Sequence, residues 1–144
     1  MDLTGPGKMN DGWDTKKEDL EKLRSMSVLF VEDEEIVRTE HSRALRRRCR
    51  EVYEAADGQA GLEQFIRHNP DVVVTDIEMP RLNGIKMINK ILEITPVQPV
   101  IIITGYDDDK HRSDKACVNM LKPVLFEDLL RAIVKCAGKR GTQL

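Results

Sequence analysis

In the segment Val28-Leu29-Phe30-Val31-Glu32-Asp33, four apolar residues are followed directly by two carboxylates. A continuous apolar run predicts a strand that is covered on both faces, as in a parallel sheet, whereas a half-exposed strand would alternate. Residues directly after such a strand lie at its carboxyl end, where open α/β sheets form their ligand crevice. The stretch therefore predicts a buried parallel strand and an acidic site at its end.

Comparable strands recur along the chain at regular intervals. Further apolar runs occupy 72–74, 100–103 and, more weakly, 118–121, while 51–55 alternates like a strand nearer an edge. Between the strands, apolar residues at helical spacing predict helices over about 34–48, from near 57–58, around 85–92 and over 126–137. Alternating strands and helices predict a five-stranded, doubly wound parallel sheet with helices on both faces.

One helix of this pattern is weak. Residues 107–115, between the fourth and fifth strands, contain no apolar side chain. A segment that cannot bury a face gains little stability from packing. We therefore expect the fourth helix of the α/β pattern to be short, disordered or absent.

Composition bounds the class of protein. The chain has 144 residues, 40% of them hydrophobic and 33% charged, with a net charge of −2. This composition is typical of one soluble globular domain, and its near-neutral charge argues against direct nucleic-acid binding. No apolar run approaches the roughly 20 residues of a membrane helix, and no secretory leader is visible. Because the three cysteines are widely spaced, we expect them to be reduced and unpaired, and the protein to be cytoplasmic.

The domain boundaries follow from the same patterns. Residues 1–25 are predicted to be a flexible N-terminal extension, and the charged part before residue 25 has the alternative of a short helix. Residues 26–138 form the predicted domain, and 139–144 a tail that begins after Gly138, placed where a helix-ending glycine is common.

Chemistry-bearing side chains follow the predicted strands. Glu32 and Asp33 follow the first strand, Asp76 the third, Thr104 ends the fourth and Lys122 follows the fifth. Gathered carboxylates repel one another, and either a raised pKa or a bound cation relieves the repulsion. Mg²⁺ suits such oxygen ligands. A cation, an ammonium group and a hydroxyl around a free carboxylate suit phosphoryl transfer, in which the carboxylate itself can be the acceptor.

These motifs carry a specific resemblance. In order they are Val28–Glu34, Asp76–Gly84, Ile102–Tyr106 and Leu121–Pro123. The sequence resembles the receiver domain of bacterial two-component response regulators from about residue 27 to residue 137. That resemblance implies a flavodoxin-like fold with strand order 2-1-3-4-5.

The resemblance also implies a metal site. Mg²⁺ would be bound by Asp33, by Asp76 and by the backbone carbonyl of Glu78, with Glu32 helping through water. These four residues are the predicted metal ligands, and Mg²⁺ is the predicted cofactor.

The remaining implied roles concern the phosphoryl group. Asp76 would accept it from a phosphohistidine, Thr104 would hydrogen-bond its oxygens and Lys122 would pair with it. Pro123, after a cis bond, would fix the turn that aims Lys122, and Gly105 would leave room beside the phosphate.

Two features depart from the family pattern. Asn119 stands three positions before Lys122, where the family usually has an aromatic residue that rotates on activation. The 18 residues from Thr104 to Lys122 are shorter than the family interval by about one helical turn. We therefore expect an unusual switching mechanism and an unusual partner surface.

The resulting functional hypothesis is a phosphoacceptor switch and not an enzyme. Its predicted partners are a histidine kinase or histidine phosphotransfer protein and an unidentified downstream protein, with no membrane partner and with a homodimer left open. The chain could stand alone or be the receiver piece of a larger regulator or hybrid kinase. The alternative is a receiver-like docking module that works without phosphorylation. An aspartyl-phosphate phosphatase is disfavoured, because Glu78 stands where that family has a second aspartate.

Overall fold

A computed structural model describes residues 17–142, with side chains as far as residue 138. Most of the predicted extension, residues 1–16, and the last two residues of the predicted tail lie outside the described part. The five strands are β1 (Ser27–Val31), β2 (Glu51–Ala55), β3 (Val72–Thr75), β4 (Val100–Thr104) and β5 (Val118–Leu121). All neighbouring pairs are parallel, in the order β2-β1-β3-β4-β5. The predicted flavodoxin-like topology is confirmed.

Five α-helices accompany the strands: α1 (Lys17–Arg24), α2 (Glu35–Arg46), α3 (Gly58–His68), α4 (Gly84–Ile94) and α5 (Phe126–Thr142). Asp57 and Asn83 begin α3 and α4, each accepting a backbone hydrogen bond in the first turn, as short polar side chains do at helix starts. The short helix that was the alternative for the charged part before residue 25 is present as α1, and its Leu23 is fully buried. Gly138 does not end α5, which continues to Thr142.

The continuous apolar pattern of β1 is explained by two cores, one on each face of the sheet. Val28 and Phe30 belong to one core, with Leu45 of α2 and side chains of α5. Leu29 and Val31 belong to the other, with side chains of α3 and α4. All five residues of β1 are buried. Within residues 17–142, no helix is long and apolar enough to cross a membrane.

The fourth helix of the predicted pattern is reduced to one 3₁₀ turn, Asp109–His111. This confirms the expectation from the apolar-free segment. The Asn119 side chain holds the end of the segment, because its amide oxygen accepts from the backbone N–H of Ser113 at 2.9 Å and its Nδ2 donates to the carbonyl of Ser113 at 2.8 Å. At the family's switch position, this chain therefore has a side chain that secures a loop.

The expectation of three unpaired cysteines was wrong for two of them. Cys117, directly before β5, forms a disulfide with Cys136 of α5. Cys49 is free and buried, and burial raises the pKa of its thiol to about 11. The sequence separation of 19 residues shows no pairing signal, because the proximity arises only when α5 packs against the sheet.

Candidate functional site

Three carboxylates converge at the carboxyl ends of the central strands. The parallel register pairs Val31 of β1 with Thr75 of β3, so the residues that follow both strands emerge side by side. Glu32, Asp33 and Asp76 each offer an oxygen, and these oxygens lie within 4.8 Å of one another. Glu32 is buried, whereas Asp33 is exposed. Oxygens of this chemistry and spacing fit a hard divalent cation such as Mg²⁺.

Lys122 brings a positive charge to the same place. Its Nζ lies 3.0 Å from Oδ2 of Asp76 and 3.4 Å from Oε1 of Glu32. The Lys122 backbone N–H donates to the carbonyl of Thr104 at 2.7 Å, and the bond from Lys122 to Pro123 is cis, as expected. The lysine is thus anchored at its backbone to β4 while its side chain reaches back over β3.

The electrostatics reflect crowded charge. Burial raises the pKa of Glu32, an effect that the Glu34 N–H and Lys122 oppose and that Asp76 reinforces. Burial disfavours the charge of Lys122, but the hydrogen bonds and attraction of Asp76 and Glu32 outweigh burial and raise its pKa. A bound cation would stabilise the charged form of Glu32 and so lower this raised pKa.

The Asp76 carboxylate is oriented through both oxygens. Oδ1 accepts from the backbone N–H of Ile77 at 2.6 Å, and Oδ2 faces Lys122. A cavity of about 420 Å³ opens beside the carboxylate, between α2 and the start of α5. Asp76, Glu32 and Lys122 line its polar end, and apolar side chains such as Val37 and Phe126 line the rest. The carboxylate is therefore fixed in direction and borders an open space.

Thr104 lies at the carboxyl end of β4, beside β3 in the sheet. It is buried, and its hydroxyl oxygen accepts from the backbone N–H of Tyr106 at 3.2 Å. Glu78 follows Asp76 by two residues, and its carboxylate contacts a histidine of the short β4–β5 segment. Of the predicted site residues, the structure thus brings Glu32, Asp33, Asp76 and Lys122 into one cluster, with Thr104 and Glu78 on the segments that border it.

That histidine, His111, is the main residue that the sequence interpretation missed. Its Nε2 lies 2.7 Å from Oε1 of Glu78, and its Nδ1 lies 2.6 Å from Oδ1 of Asp108. Its ring stacks on Tyr106 with ring centroids 4.3 Å apart. Hydrogen bonding to Asp108, and then to Glu78, raises the pKa of His111 despite opposing desolvation. Nothing in a polar segment distinguishes a histidine that is only 9% exposed from a solvated one.

The loop between β3 and α4 is anchored independently. The guanidinium of Arg81 pairs with the buried Asp57 carboxylate, which also begins α3. Arg81 has a φ of 68°, a left-handed conformation that is uncommon outside glycine. At Gly84 an added Cβ would lie 2.2 Å from the carbonyl oxygen of Asp76, so the backbone needs glycine there. The segment after Asp76 is therefore tied to the start of α3 through Arg81, and at Gly84 it passes back against its own beginning, where the Gly84 N–H donates to the Ile77 carbonyl at 2.9 Å.

Comparison with known proteins gives a consistent picture. The family model described as response regulator receiver domain matches residues 28–133. The transcriptional regulatory protein PdtaR of Mycobacterium tuberculosis is 32% identical over 111 residues, covering 74% of this chain and 54% of that protein. A cyclic di-GMP phosphodiesterase of Thermotoga maritima is 36% identical over 112 residues, covering 74% of this chain and 29% of that protein.

Among solved structures, a receiver domain protein from Clostridium thermocellum superposes with a TM-score of 0.75 at 30% identity. The match covers 83% of this chain and 99% of that one. In contrast, the chain spans about half or less of the length of the two curated relatives described above. The similarity therefore concerns one domain of those larger proteins.

Proposed function

The chain belongs to the response regulator receiver domain family, and from this premise we propose that it is a phosphorylation-controlled switch whose acceptor is Asp76. The observation that carries the proposal is the Asp76 carboxylate, which borders a cavity, belongs to a cation-type oxygen cluster and lies 3.0 Å from the Lys122 ammonium. These features give a phosphoryl group room beside the carboxylate and positive charge to neutralise it.

The transfer is a displacement at phosphorus. A carboxylate oxygen of Asp76 forms a bond to the phosphorus of a phosphohistidine, and the phosphorus–nitrogen bond breaks. The electron pair of that bond stays on the partner's imidazole, which leaves as a neutral ring after protonation. The product is an acyl phosphate on Asp76, one covalent intermediate that splits a difficult transfer into two steps.

The metal is assigned to the acidic cluster. Asp33, Asp76 and the backbone carbonyl of Glu78 would bind Mg²⁺, with Glu32 acting through water. When bound, Mg²⁺ neutralises charge on the transferring group. The pKa of the Glu32 carboxyl is raised chiefly by burial and further by the neighbouring Asp76, and a bound cation would favour its charged form, which supports this assignment.

Lys122 and Thr104 act on the phosphorylated state. Lys122, which pairs with Asp76 and Glu32 before transfer, would pair with a phosphoryl oxygen afterwards. Thr104 would turn its hydroxyl from the Tyr106 N–H toward the phosphoryl group. The segment after β4 would then respond directly to phosphorylation.

The phosphodonor in this proposal is a histidine kinase or a histidine phosphotransfer protein. The apolar part of the cavity beside Asp76 supports a protein donor, because apolar side chains there can contact a partner that presents its histidine. The downstream partner would be a protein that distinguishes the two states of the chain.

Intact-mass measurement after incubation with acetyl phosphate and Mg²⁺ tests the acceptor. We expect one phosphoryl adduct on the wild type, no adduct on Asp76→Asn, and an unchanged adduct on the control Asp114→Asn, which alters an exposed carboxylate. A folded wild type without an adduct would refute the proposal.

The second candidate function is a docking module that works without phosphorylation. The two hydrogen bonds between Asn119 and Ser113 favour it, because Asn119 is held in place where the family has a mobile aromatic residue. Equal partner affinity for phosphorylated and unphosphorylated wild type would select this candidate even if the adduct forms.

A further inference from the structure

His111 joins the two segments that border Asp76. Glu78 lies two residues after Asp76, beyond β3, and Tyr106 lies two residues after Thr104, beyond β4. The His111 imidazole contacts both, through a 2.7 Å contact with the Glu78 carboxylate and a ring stack on Tyr106. Asp108 holds the second ring nitrogen at 2.6 Å. A single side chain therefore links the segment that follows Asp76 to the segment that follows Thr104.

The arrangement is built into the 3₁₀ turn itself. Asp108 begins the turn and also accepts from the backbone N–H of His111 at 3.1 Å, so the ring is fixed relative to its own backbone. Both ring nitrogens are engaged and one ring face is covered, which leaves the His111 side chain 11% exposed. In contrast, the Glu78 side chain is 65% exposed, so its carboxylate has space to move if His111 releases it.

We propose that His111 is a positioning residue that holds the Glu78 carboxylate and the Tyr106 ring in place and thereby sets the lifetime of the phosphoryl group on Asp76. This inference rests on the proposed function, since it concerns the acyl phosphate formed there. It assigns a role to a residue outside the matched motifs, in the segment that replaces a helix.

The chemistry that His111 controls is hydrolysis. A water oxygen forms a bond to phosphorus, the bond from phosphorus to the Asp76 oxygen breaks, and its electron pair returns to the carboxylate. The water gives up a proton in this step, and a nearby free carboxylate can accept that proton or orient the water. While the Glu78 carboxylate is bound to His111, it is held by the imidazole and is not free to orient this water. Loss of His111 releases the carboxylate and also removes the ring that stacks on Tyr106.

The test is the decay of the adduct on the full chain, followed by intact mass after acetyl phosphate is removed. For His111→Ala we expect a phosphoryl lifetime shorter by about tenfold, a modest share of what a positioned base contributes. His111→Gln, whose amide can still donate to Glu78, should restore most of the lifetime. The double variant His111→Ala with Glu78→Ala should also be long-lived, because no carboxylate is left to be released.

A matched control separates positioning from general loosening of the loop. Asn119→Ala removes the hydrogen bonds that secure Ser113, in the same segment, and leaves Glu78 and His111 intact. We expect its lifetime to stay within twofold of the wild type. If Asn119→Ala and His111→Ala shorten the lifetime equally, the positioning role is refuted.

Other outcomes are equally decisive. A lifetime of His111→Ala within twofold of the wild type overturns the inference and leaves the proposed function standing. An equally short lifetime in the double variant shows that Glu78 is not the route. Absence of any adduct on the wild type refutes the proposed function itself. If His111→Ala does not fold, His111→Leu, which fills the space of the ring but cannot donate to Glu78, gives the same comparison when measured with and without Glu78→Ala.

Discussion

Replacing Lys122 by methionine should weaken the fold in the absence of metal and strengthen Mg²⁺ binding. Methionine keeps most of the apolar stem and removes the ammonium group. That group lies 3.0 Å from Asp76 and 3.4 Å from Glu32, so its loss leaves three neighbouring carboxylates without their lysine. Because Mg²⁺ would bind the same oxygens, the ammonium group also competes with the metal.

The magnitude follows from distance and exposure. At an effective dielectric constant near 20, charges at 3.0 Å and 3.4 Å attract by roughly 5 kcal/mol per pair. Desolvation offsets most of this, and the 33% exposed Lys122 side chain is screened by solvent. Breaking exposed pairs costs up to about 1 kcal/mol and buried pairs about 3–5 kcal/mol, so we expect about 2 kcal/mol here.

Urea unfolding with EDTA and with saturating Mg²⁺ is the assay. In EDTA the free energy of unfolding of Lys122→Met should fall by about 2 kcal/mol, roughly a 30-fold change in the folding equilibrium. With Mg²⁺ the gap should close, because a metal that binds only the folded state stabilises most where its affinity is highest. Lys115→Met, which removes an exposed lysine near Asn89, is the control, and its free energy of unfolding should equal that of the wild type in both conditions. Equal stability of the wild type and Lys122→Met in EDTA, with equal gains from Mg²⁺, would refute this reasoning.

Three further outcomes concern the framework of the site. The pKa of Asp57 is lowered, mainly by the backbone hydrogen bond from Ala60 and also by Arg81, so its stabilisation is present above the ordinary value of 3.8 and is lost as the pH falls through the lowered pKa. Asp57→Asn should therefore be less stable than the wild type by about 1–2 kcal/mol at pH 7 and nearly equal to it in strong acid, as measured by urea unfolding. Gly84→Ala should lower both stability and adduct yield, whereas Gly138→Ala, whose Cβ meets nothing within 4 Å, should raise the melting temperature slightly. Cys117→Ser should lose about 3 kcal/mol under oxidising conditions and should match the wild type treated with reductant.

The parallel sheet could be predicted because its cause is local and repeated, whereas its strand order was implied by the family resemblance. The three central strands bury both faces, so the apolar runs at 28–31, 72–74 and 100–103 carry the information in their composition. Once the strands are parallel, the residues after them must emerge at one edge. The convergence of Glu32, Asp33, Asp76 and Lys122 follows from that geometry.

The loss of the fourth helix could also be predicted from the sequence, for an energetic reason. A segment without apolar side chains has no packing energy to hold a helix, and the structure shows a single 3₁₀ turn there. The contacts that this segment makes in place of a helix could not be predicted. The contacts of His111 with Glu78 and of Asn119 with Ser113 join residues that no periodic pattern relates.

By itself, then, the sequence determined the sheet, its acidic edge and the lysine opposite, because burial and chain direction act on every residue of a periodic element. The pairing of Cys117 with Cys136, the anchoring of Arg81 on Asp57 and the position of His111 became visible only in the folded molecule. These contacts depend on distances between loops and helix ends. Such distances are set by how the elements pack together, and no local pattern of residues encodes them.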